Sequence, residues 1–525
     1  MPVFELVIAL LLVGAILSAV ARRIQVPYPA LLALAGAALA LLPNVPSVTL
    51  DPRLALTLLV APVLLDAAFD SSPRDLKQNW RAVTSLALVA VSLTVAAVAF
   101  VARWLVPTLP WPAAIALGAI VAPPDAAAAT TVLRQLRAPH RVFVILEGES
   151  LFNDATALLI YRLAVTTAVT GTFSGWRAIP LLVVVTLGSI VLGAVLSRLI
   201  LLVTPRIHDV PISVIVQFLS TFAVWMIADW LGLSAIITMV VFAILVARTA
   251  PDLMPARVRI PSYAVWEVAV FVLNVLAFIL IGLQLRPILD RLSRAELVTY
   301  AAVAAAVCGA VILVRIAWVM AYTAVARWIA GRRSRGAPTP YWVPPVRGAI
   351  VVAWCGMRGI VTIATALALP SGFPNRDLIL FTAFCVVLVT LVVQGITVRP
   401  LMRVLHLQAD DTVEREVRLA RAETARAGLD AVNGVQTGDD MVALLRRKYE
   451  TRIDRAESGA GPLEPEGDGG PGAGYAAAQQ RAHQAERRML SDLRARGVIG
   501  DDAFHRVEEE LDWAEVTAEA MTRRE

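Results

Sequence analysis

The 525-residue sequence predicts an all-α polytopic membrane protein with about 13 transmembrane helices and a helical cytoplasmic tail. Hydrophobic residues make up 58% of the chain and charged residues only 17%, whereas a soluble chain carries about a quarter charged residues. This composition excludes a disordered protein, a collagen and an ordinary cytosolic enzyme. The formal net charge of +6 does not indicate nucleic-acid binding, because basic loops are expected where membrane helices meet the cytoplasm.

Thirteen apolar segments alternate with short polar stretches up to about residue 405, and each approaches the roughly 20 residues that a membrane span needs. We therefore predict a transmembrane domain over residues 1–405. The segments are roughly 3–21, 28–43, 53–70, 82–104, 111–133, 141–166, 177–203, 210–230, 232–249, 264–285, 297–328, 346–370 and 377–402.

Two of these segments are interrupted. The fifth contains Pro123-Pro124-Asp125, and the twelfth contains Gly356-Met357-Arg358-Gly359. Proline removes a helix donor, and glycine loosens the backbone. The breaks lie seven spans apart, which suits two six-helix repeats around one linking helix. Paired interruptions are typical of transporter sites, although ordinary kinks would give the same spacing.

Residues 406–525 are rich in charge and contain no run that could span a bilayer. Helices are predicted near 412–432, 439–456, 476–496 and 501–520, with a flexible linker at 459–474. A regulatory or dimer-supporting role and a merely solvated appendage both fit this pattern. The excess of arginine in alternate loops predicts an outside N-terminus and a cytoplasmic tail, in a bacterial inner membrane.

The densest group of intramembrane charges runs from Glu147 to Asp154 in the sixth segment. At helical spacing Ser150 and Asp154 share one face, and Glu149 and Asn153 share the next. Carboxylate, amide and hydroxyl oxygens suit a small hard cation, and a carboxylate in lipid favours neutralisation by either a proton or a cation. A polar cluster that only joins helices is the structural alternative.

Other charges in the apolar segments leave their roles open. Asp125 follows the proline break, where it could cap a half-helix or carry an ion. Asp66 is either a further ligand or a hydrogen-bonded core acid. Arg315 needs a counter-ion, for which Glu149 is the first choice, and Arg358 could bond freed carbonyls at a helix end. Asp229 and Glu267 are expected near the ends of spans.

Four motifs, in order, resemble the CPA1 group of monovalent cation:proton antiporters, which includes bacterial and animal sodium/proton exchangers. They are Pro123–Ala129, Leu146–Ala157, Trp266–Gly282 and Gly356–Gly359, and the resemblance covers about residues 5–405. It implies an inverted-repeat fold of thirteen spans, a homodimer, and alternating access through an elevator-like movement of a core domain.

The resemblance also implies residue roles. Asp154 matches the essential ion-binding carboxylate, Asn153 its neighbour, and Ser150 a hydroxyl ligand. Asp66 matches an acidic position, and Glu149 with Arg315 matches a structural ion pair. An Asn–Asp pair marks electroneutral exchange in this family. Pro124 stands where many members have Thr, which removes a hydroxyl but leaves the backbone carbonyl. Asp66 stands where many members have Glu, and this shorter acid bears on the choice between Na⁺ and K⁺.

The sequence therefore predicts a non-enzymatic transporter that exchanges Na⁺, or K⁺ or Li⁺, for H⁺ at Asp154. It needs no cofactor, and its partners are these ions, membrane lipid and a second copy of the chain, with no nucleic acid. An intramembrane aspartyl protease using Asp125 and Asp154 is an alternative, but its typical GxGD string is missing. A cation channel and a non-transporting sensor with a signalling tail are further alternatives, and no filter-like repeat supports the channel.

Overall fold

The computed structural model describes residues 3–24, 26–42, 51–136, 138–171, 175–207, 209–333, 343–407, 410–434, 440–458 and 473–522. These residues are almost entirely helical and include no strand. The linker predicted at 459–474 lies mostly outside the described residues.

Sixteen helices, α1–α16, form the part of the chain that precedes the tail. They are α1 Val3–Ile24, α2 Tyr28–Ala40, α3 Pro52–Phe69, α4 Pro73–Leu105, α5 Trp111–Val121, α6 Ala126–Gln135, α7 His140–Thr170, α8 Gly175–Val203, α9 Val210–Trp230, α10 Ala235–Leu253, α11 Ala256–Leu283, α12 Leu285–Leu289, α13 Arg294–Arg333, α14 Val346–Trp354, α15 Ile360–Leu367 and α16 Arg376–Leu405.

Ten helical stretches in the described ranges are long and apolar enough to cross a membrane. Each of the thirteen predicted segments coincides with one helix or with one interrupted pair, α5–α6 or α14–α15. The chain is therefore an all-helical multi-pass membrane protein, and the exact count of thirteen spans stays a prediction.

Two helices begin well before their apolar runs. The structure starts α4 at Pro73, not near 82, and α11 at Ala256, not near 264. Hydropathy marks the part of a helix that meets lipid, whereas caps decide where it starts. Ser72 caps α4 by accepting a hydrogen bond from the Asp75 amide at 3.4 Å, and Pro73 occupies the first turn.

The membrane helices form two groups. One contains α1, α2 and α8–α11, and the other contains α4–α7 and α13–α16. Helix α3 contacts both groups. The functional cavity described below lies between them, so its walls belong to different groups of helices.

Helices α2 and α11 cross almost backbone to backbone. A Cβ atom on Gly282 would lie 2.3 Å from the Ala33 carbonyl oxygen and 2.4 Å from the Ala37 nitrogen. Small residues permit such close crossings where lipid offers no hydrophobic drive for association. This crossing therefore holds the first helix group together by dispersion contacts.

Four further helices form the tail: α17 Thr412–Asn433, α18 Asp440–Ser458, α19 Ala473–Ala495 and α20 Asp501–Thr522. Val417, Leu490 and Phe504 belong to one apolar core within it. Elsewhere in the tail, Glu486 is fully buried, lies 2.8 Å from Arg452 and accepts a hydrogen bond from the Tyr449 hydroxyl at 3.0 Å. Burial raises the pKa of Glu486, but Arg452, His483 and Tyr449 together outweigh this effect, so the net pKa falls below its usual value. The tail is therefore a folded unit.

We predict that Gly282→Ala lowers the midpoint of thermal unfolding in detergent, because the added methyl group must push α2 away from α11. Overpacking of this kind costs about 1–3 kcal/mol. Gly309→Ala in α13 is the matched control, because nothing lies within 4 Å of the Cβ atom that it adds. An equal midpoint for the two variants would contradict the close crossing.

Candidate functional site

The two interrupted helices meet at their breaks. Helix α5 ends at Val121 and α6 starts at Ala126, while α14 ends at Trp354 and α15 starts at Ile360. The backbone amide of Asp125 donates to the carbonyl oxygen of Met357 at 2.6 Å, which joins the two non-helical stretches. Non-helical backbone at membrane depth is tolerated only where its polar groups find partners inside the protein.

Arg358 supplies several of those partners. Its side chain is buried, and its Nε and Nη2 atoms donate to the carbonyl oxygens of Val121 at 2.9 Å and Ala122 at 3.1 Å. These carbonyls lie at the C-terminal end of α5, where a helix leaves acceptors unpaired and carries partial negative charge. Arg358 thus extends from one break to stabilise the other.

Asp125 caps the second half of the first broken helix. Its Oδ1 atom accepts a hydrogen bond from the Ala127 amide at 2.9 Å, while its Oδ2 atom lies against Gly359. A Cβ atom at position 359 would lie 1.7 Å from that oxygen. Asp125 also lines the cavity described below. The structure therefore places it where both roles left open by the sequence could apply.

Helix α7 presents its polar cluster to the first break. The Ser150 hydroxyl oxygen accepts from the Ala126 amide at 3.4 Å, and Asn153 Nδ2 donates to the Pro124 carbonyl at 2.9 Å. Asn153 is fully buried, and its Oδ1 atom has no hydrogen-bond partner among the described residues. Next to Asn153, the Asp154 side chain reaches the cavity described below. It forms neither an ion pair nor a hydrogen bond with any of the described residues.

Glu149 belongs to the same helix, but its carboxylate is occupied. Arg315 Nη2 lies 2.8 Å from Glu149 Oε2, and both side chains are buried. The same arginine nitrogen donates to the Val352 carbonyl at 3.0 Å. One guanidinium therefore ties α7 and α14 to α13, and it neutralises Glu149 while leaving Asp154 unpaired.

A cavity of about 1500 Å³ runs between the two helix groups and reaches the breaks. Four of the five residues that the sequence assigns to the cation and proton site line it: Asp66, Asp125, Ser150 and Asp154. Asn153, Glu149, Arg315 and Arg358 do not line it, since they lie behind its wall. One end of the cavity, called its mouth below, is lined by helix ends and by residues of the tail.

The cavity also contains polar residues to which the sequence analysis gave no role in the site. Glu267, which was expected near the end of a span, lines the cavity from within α11. Asp70, Glu147 and Asn274 line the cavity as well, and Glu147 lies 3.4 Å from Arg134. Asp229, by contrast, is exposed at the end of α9 and lies 3.9 Å from Arg162.

Two broken helices that meet inside the bundle, beside an unpaired buried carboxylate on a cavity, define an ion-coupled secondary transporter. Residues 7–404 match the family model described as sodium/hydrogen exchanger, transmembrane. The chain belongs to this family of ion exchangers and is not an enzyme. Family membership thus decides against the protease and in favour of exchange.

Several known proteins are similar to this chain. An uncharacterized Na⁺/H⁺ exchanger of Mycobacterium tuberculosis is 32% identical, with 98% of this chain and 96% of the relative covered. A sodium, potassium, lithium and rubidium/H⁺ antiporter of Bacillus subtilis is 30% identical, over 75% of this chain and 60% of the relative. The sodium proton antiporter MjNhaP1 of Methanocaldococcus jannaschii has a similar fold, with a TM-score of 0.60, 17% identity, and coverage of 77% of this chain and 98% of that structure.

We predict that Gly359→Ala disrupts the contact between the two breaks, because its methyl group would overlap the Asp125 carboxylate. Overpacking against a fixed polar group costs at least about 1–3 kcal/mol, and exchange should fall with it. Gly372→Ala is the control, since nothing lies within 4 Å of that Cβ position. Thermal unfolding and exchange in proteoliposomes measure the two effects, and unchanged values for Gly359→Ala would refute the packing.

A second prediction concerns the buried ion pair. Glu149→Gln should destabilise the protein by about 3–5 kcal/mol, because it leaves the Arg315 charge buried without its counter-ion. The double variant Glu149→Gln/Arg315→Met should recover much of this loss, since it removes both charges and keeps similar volume. Chemical or thermal unfolding of both variants provides the measurement. A double variant that is less stable than the single one would show that the ion pair is not the dominant interaction.

Proposed function

We propose that Asp154 is the carboxylate at which one monovalent cation and one proton compete, and that alternating access exposes it to each side of the membrane in turn. The proposal rests above all on one observation: Asp154 reaches the cavity with no partner among the residues that the structure describes, while the nearby buried acid Glu149 is neutralised by Arg315. A charge left unpaired at membrane depth is costly, so either a cation or a proton should occupy it.

The neighbouring oxygens suit an alkali cation. Asn153 Oδ1 is buried without a partner, and hard oxygen ligands favour hard cations. Ser150 supplies a hydroxyl, and Asp125 and Asp66 add carboxylates on the same cavity. We propose that these four residues and Asp154 form the cation and proton site. Glu149, Arg315 and Arg358 are its structural support. The cation is Na⁺, with K⁺ or Li⁺ as further candidates, because a relative from Bacillus subtilis is named for exchange of several alkali cations.

The stoichiometry follows from which groups can titrate. Asn153 cannot ionise, so a single exchange of one cation for one proton at Asp154 moves no net charge. This supports electroneutral exchange. Asp66 is a second carboxylate on the cavity, and its titration during the cycle would add a second proton. The dependence of the rate on membrane potential separates these two cases.

We further propose a homodimer in the bacterial inner membrane, with an outside N-terminus and a cytoplasmic tail. The exposed apolar face of α1, which carries Leu12 and Ile16, offers a surface for a second copy or for lipid. The bias of arginine toward alternate loops supports the orientation. The cavity would then open toward the cytoplasm in the state described here.

The central test is Asp154→Asn in everted vesicles loaded with a pH-sensitive dye. Wild-type protein should release protons on addition of Na⁺, and Asp154→Asn should reduce this to the level of vesicles without the protein, because an amide neither titrates nor carries the charge that attracts a cation. Li⁺, K⁺ and Rb⁺, added in parallel over a range of pH, define the selectivity.

Asp229→Asn is the matched control, because it makes the same chemical change at an exposed helix end and should keep exchange near the wild-type rate. Exchange that survives in Asp154→Asn would contradict the site. Single-channel currents in the wild type would contradict the alternating-access mechanism.

A further inference from the structure

The tail packs against the mouth of the cavity and contacts both helix groups. The first anchor is at the start of α11, where Arg259 is almost completely buried. Its Nε atom donates to Asp512 Oδ2 on α20 at 2.7 Å, and its Nη1 atom lies 3.3 Å from Glu508 on the same helix. A buried arginine with two carboxylate partners is a strong attachment, since removal of either partner leaves a desolvated charge.

Contacts with α10 reinforce this first anchor. The Ser491 hydroxyl on α19 donates to Asp252 at 2.8 Å, and Arg494 donates to the Ala247 carbonyl at 3.2 Å. Both α10 and α11 belong to the first helix group. The first anchor therefore attaches α19 and α20 to one wall of the cavity.

The second anchor is on the opposite wall, at the starts of α4 and α7. Arg74 Nη2 donates to Glu416 on α17 at 2.8 Å, and Nη1 of the same guanidinium donates to the Gly497 carbonyl at 3.3 Å. His140 lies between Asp75 of α4, at 3.2 Å, and Asp502 of α20, at 3.3 Å. Helices α4 and α7 belong to the second group, which carries Asp154.

Between the anchors the tail lies at the mouth of the cavity. The His505 ring stacks on Phe69 with a centroid separation of 6.2 Å, and it meets Tyr263 edge-on at 6.5 Å. His505, Glu509 and Trp513 line the same cavity as Asp154. One folded unit thus spans the mouth from wall to wall.

We propose that the tail is a regulatory strap that joins the two helix groups across the mouth of the ion cavity and slows exchange by opposing their relative movement. The inference rests on the proposed function, because alternating access requires one group to move against the other. Attachment to both walls stabilises the arrangement of the two helix groups in which this mouth is open. A ligand or partner that bound only the released tail would increase the population of released protein by mass action and so speed transport.

The carboxylates that the tail adds to the cavity wall suggest a competing role. Asp502, Glu509 and Glu414 line the cavity, and negative charge at a mouth concentrates cations. In that case removal of tail carboxylates would weaken apparent cation affinity. The strap predicts a different result: releasing an anchor should raise the maximal rate of ion exchange.

Three full-length variants separate the two roles. Glu416→Gln weakens the second anchor, and Asp512→Asn weakens the first. Glu414→Gln is the matched control: it removes the same charge two residues from Glu416, but its partner is Arg506 within the tail, at 2.6 Å. Ion exchange measured against cation concentration in proteoliposomes gives the maximal rate and the apparent cation affinity. Hydrogen–deuterium exchange reports whether α17–α20 stay folded and whether the start of α11 becomes exposed.

We expect Glu416→Gln to raise the maximal rate about two- to fivefold, since its partly exposed ion pair with Arg74 contributes modestly. Asp512→Asn should raise the maximal rate at least as much, because its ion pair with Arg259 is buried. A strap released at either end no longer joins the walls, so the double variant should be no faster than the faster single variant. Glu414→Gln should match the wild type in rate and apparent affinity.

Other outcomes overturn the strap. One is a wild-type rate of ion exchange in anchor variants whose tails show increased deuterium exchange. A second is slower ion exchange in both anchor variants. A third is a loss of apparent cation affinity in Glu414→Gln equal to that in Glu416→Gln. If Asp512→Asn unfolds the tail, Glu416→Gln alone still decides the question. A wild-type protein that exchanges no alkali cation would refute the proposed function instead.

Discussion

The structure depends on how it satisfies backbone groups that two broken helices expose inside the membrane. No water is available in hydrocarbon, so each freed carbonyl or amide needs a partner within the protein. Arg358 bonds the carbonyls at the end of α5, Asp125 caps the start of α6, and Asn153 donates to the carbonyl of Pro124. The breaks are thereby stable enough to bring backbone and side-chain oxygens to the centre of the bundle.

The distribution of charge around the breaks follows from the same constraint. An ionised group in the membrane costs about 2.5–3.5 kcal/mol on insertion scales, so each one must have a partner or a function. Arg315 neutralises Glu149, and Arg358 is surrounded by carbonyls. Asp154 has no such partner in the described residues, and it lines the cavity, as Asp66 and Asp125 do. The pairing of Glu149 with Arg315 therefore leaves Asp154 as the carboxylate that we propose for ion exchange.

Much of this arrangement could be predicted from local sequence. Apolar runs mark the spans, Pro123-Pro124 marks a break, and the spacing of Ser150, Asn153 and Asp154 places them on adjacent helix faces. Caps are harder to predict, so the early start of α11 was missed. The sequence predicts that Arg358 bonds carbonyls at a helix end, but it does not show that these carbonyls belong to α5. The partners of Arg259 were not predictable either, because both sets of contacts join residues more than two hundred positions apart.

The two oxygens of Asp125 show why the cap and the ion site are hard to separate. Oδ1 accepts from the Ala127 amide, and Oδ2 lies against Gly359 in the other break, so the carboxylate is held by both interrupted helices. A carboxylate held this way turns less freely toward an arriving cation than one without such contacts, so in the proposed site it would contribute its oxygens from a fixed position. Among the described residues Asp154 forms no such contacts, and it lies on one continuous helix. In the proposed mechanism, a fixed carboxylate at Asp125 and an unpaired one at Asp154 together favour a cation without forcing its permanent retention. This balance is what a carrier needs, because an ion bound too tightly could not be exchanged for a proton.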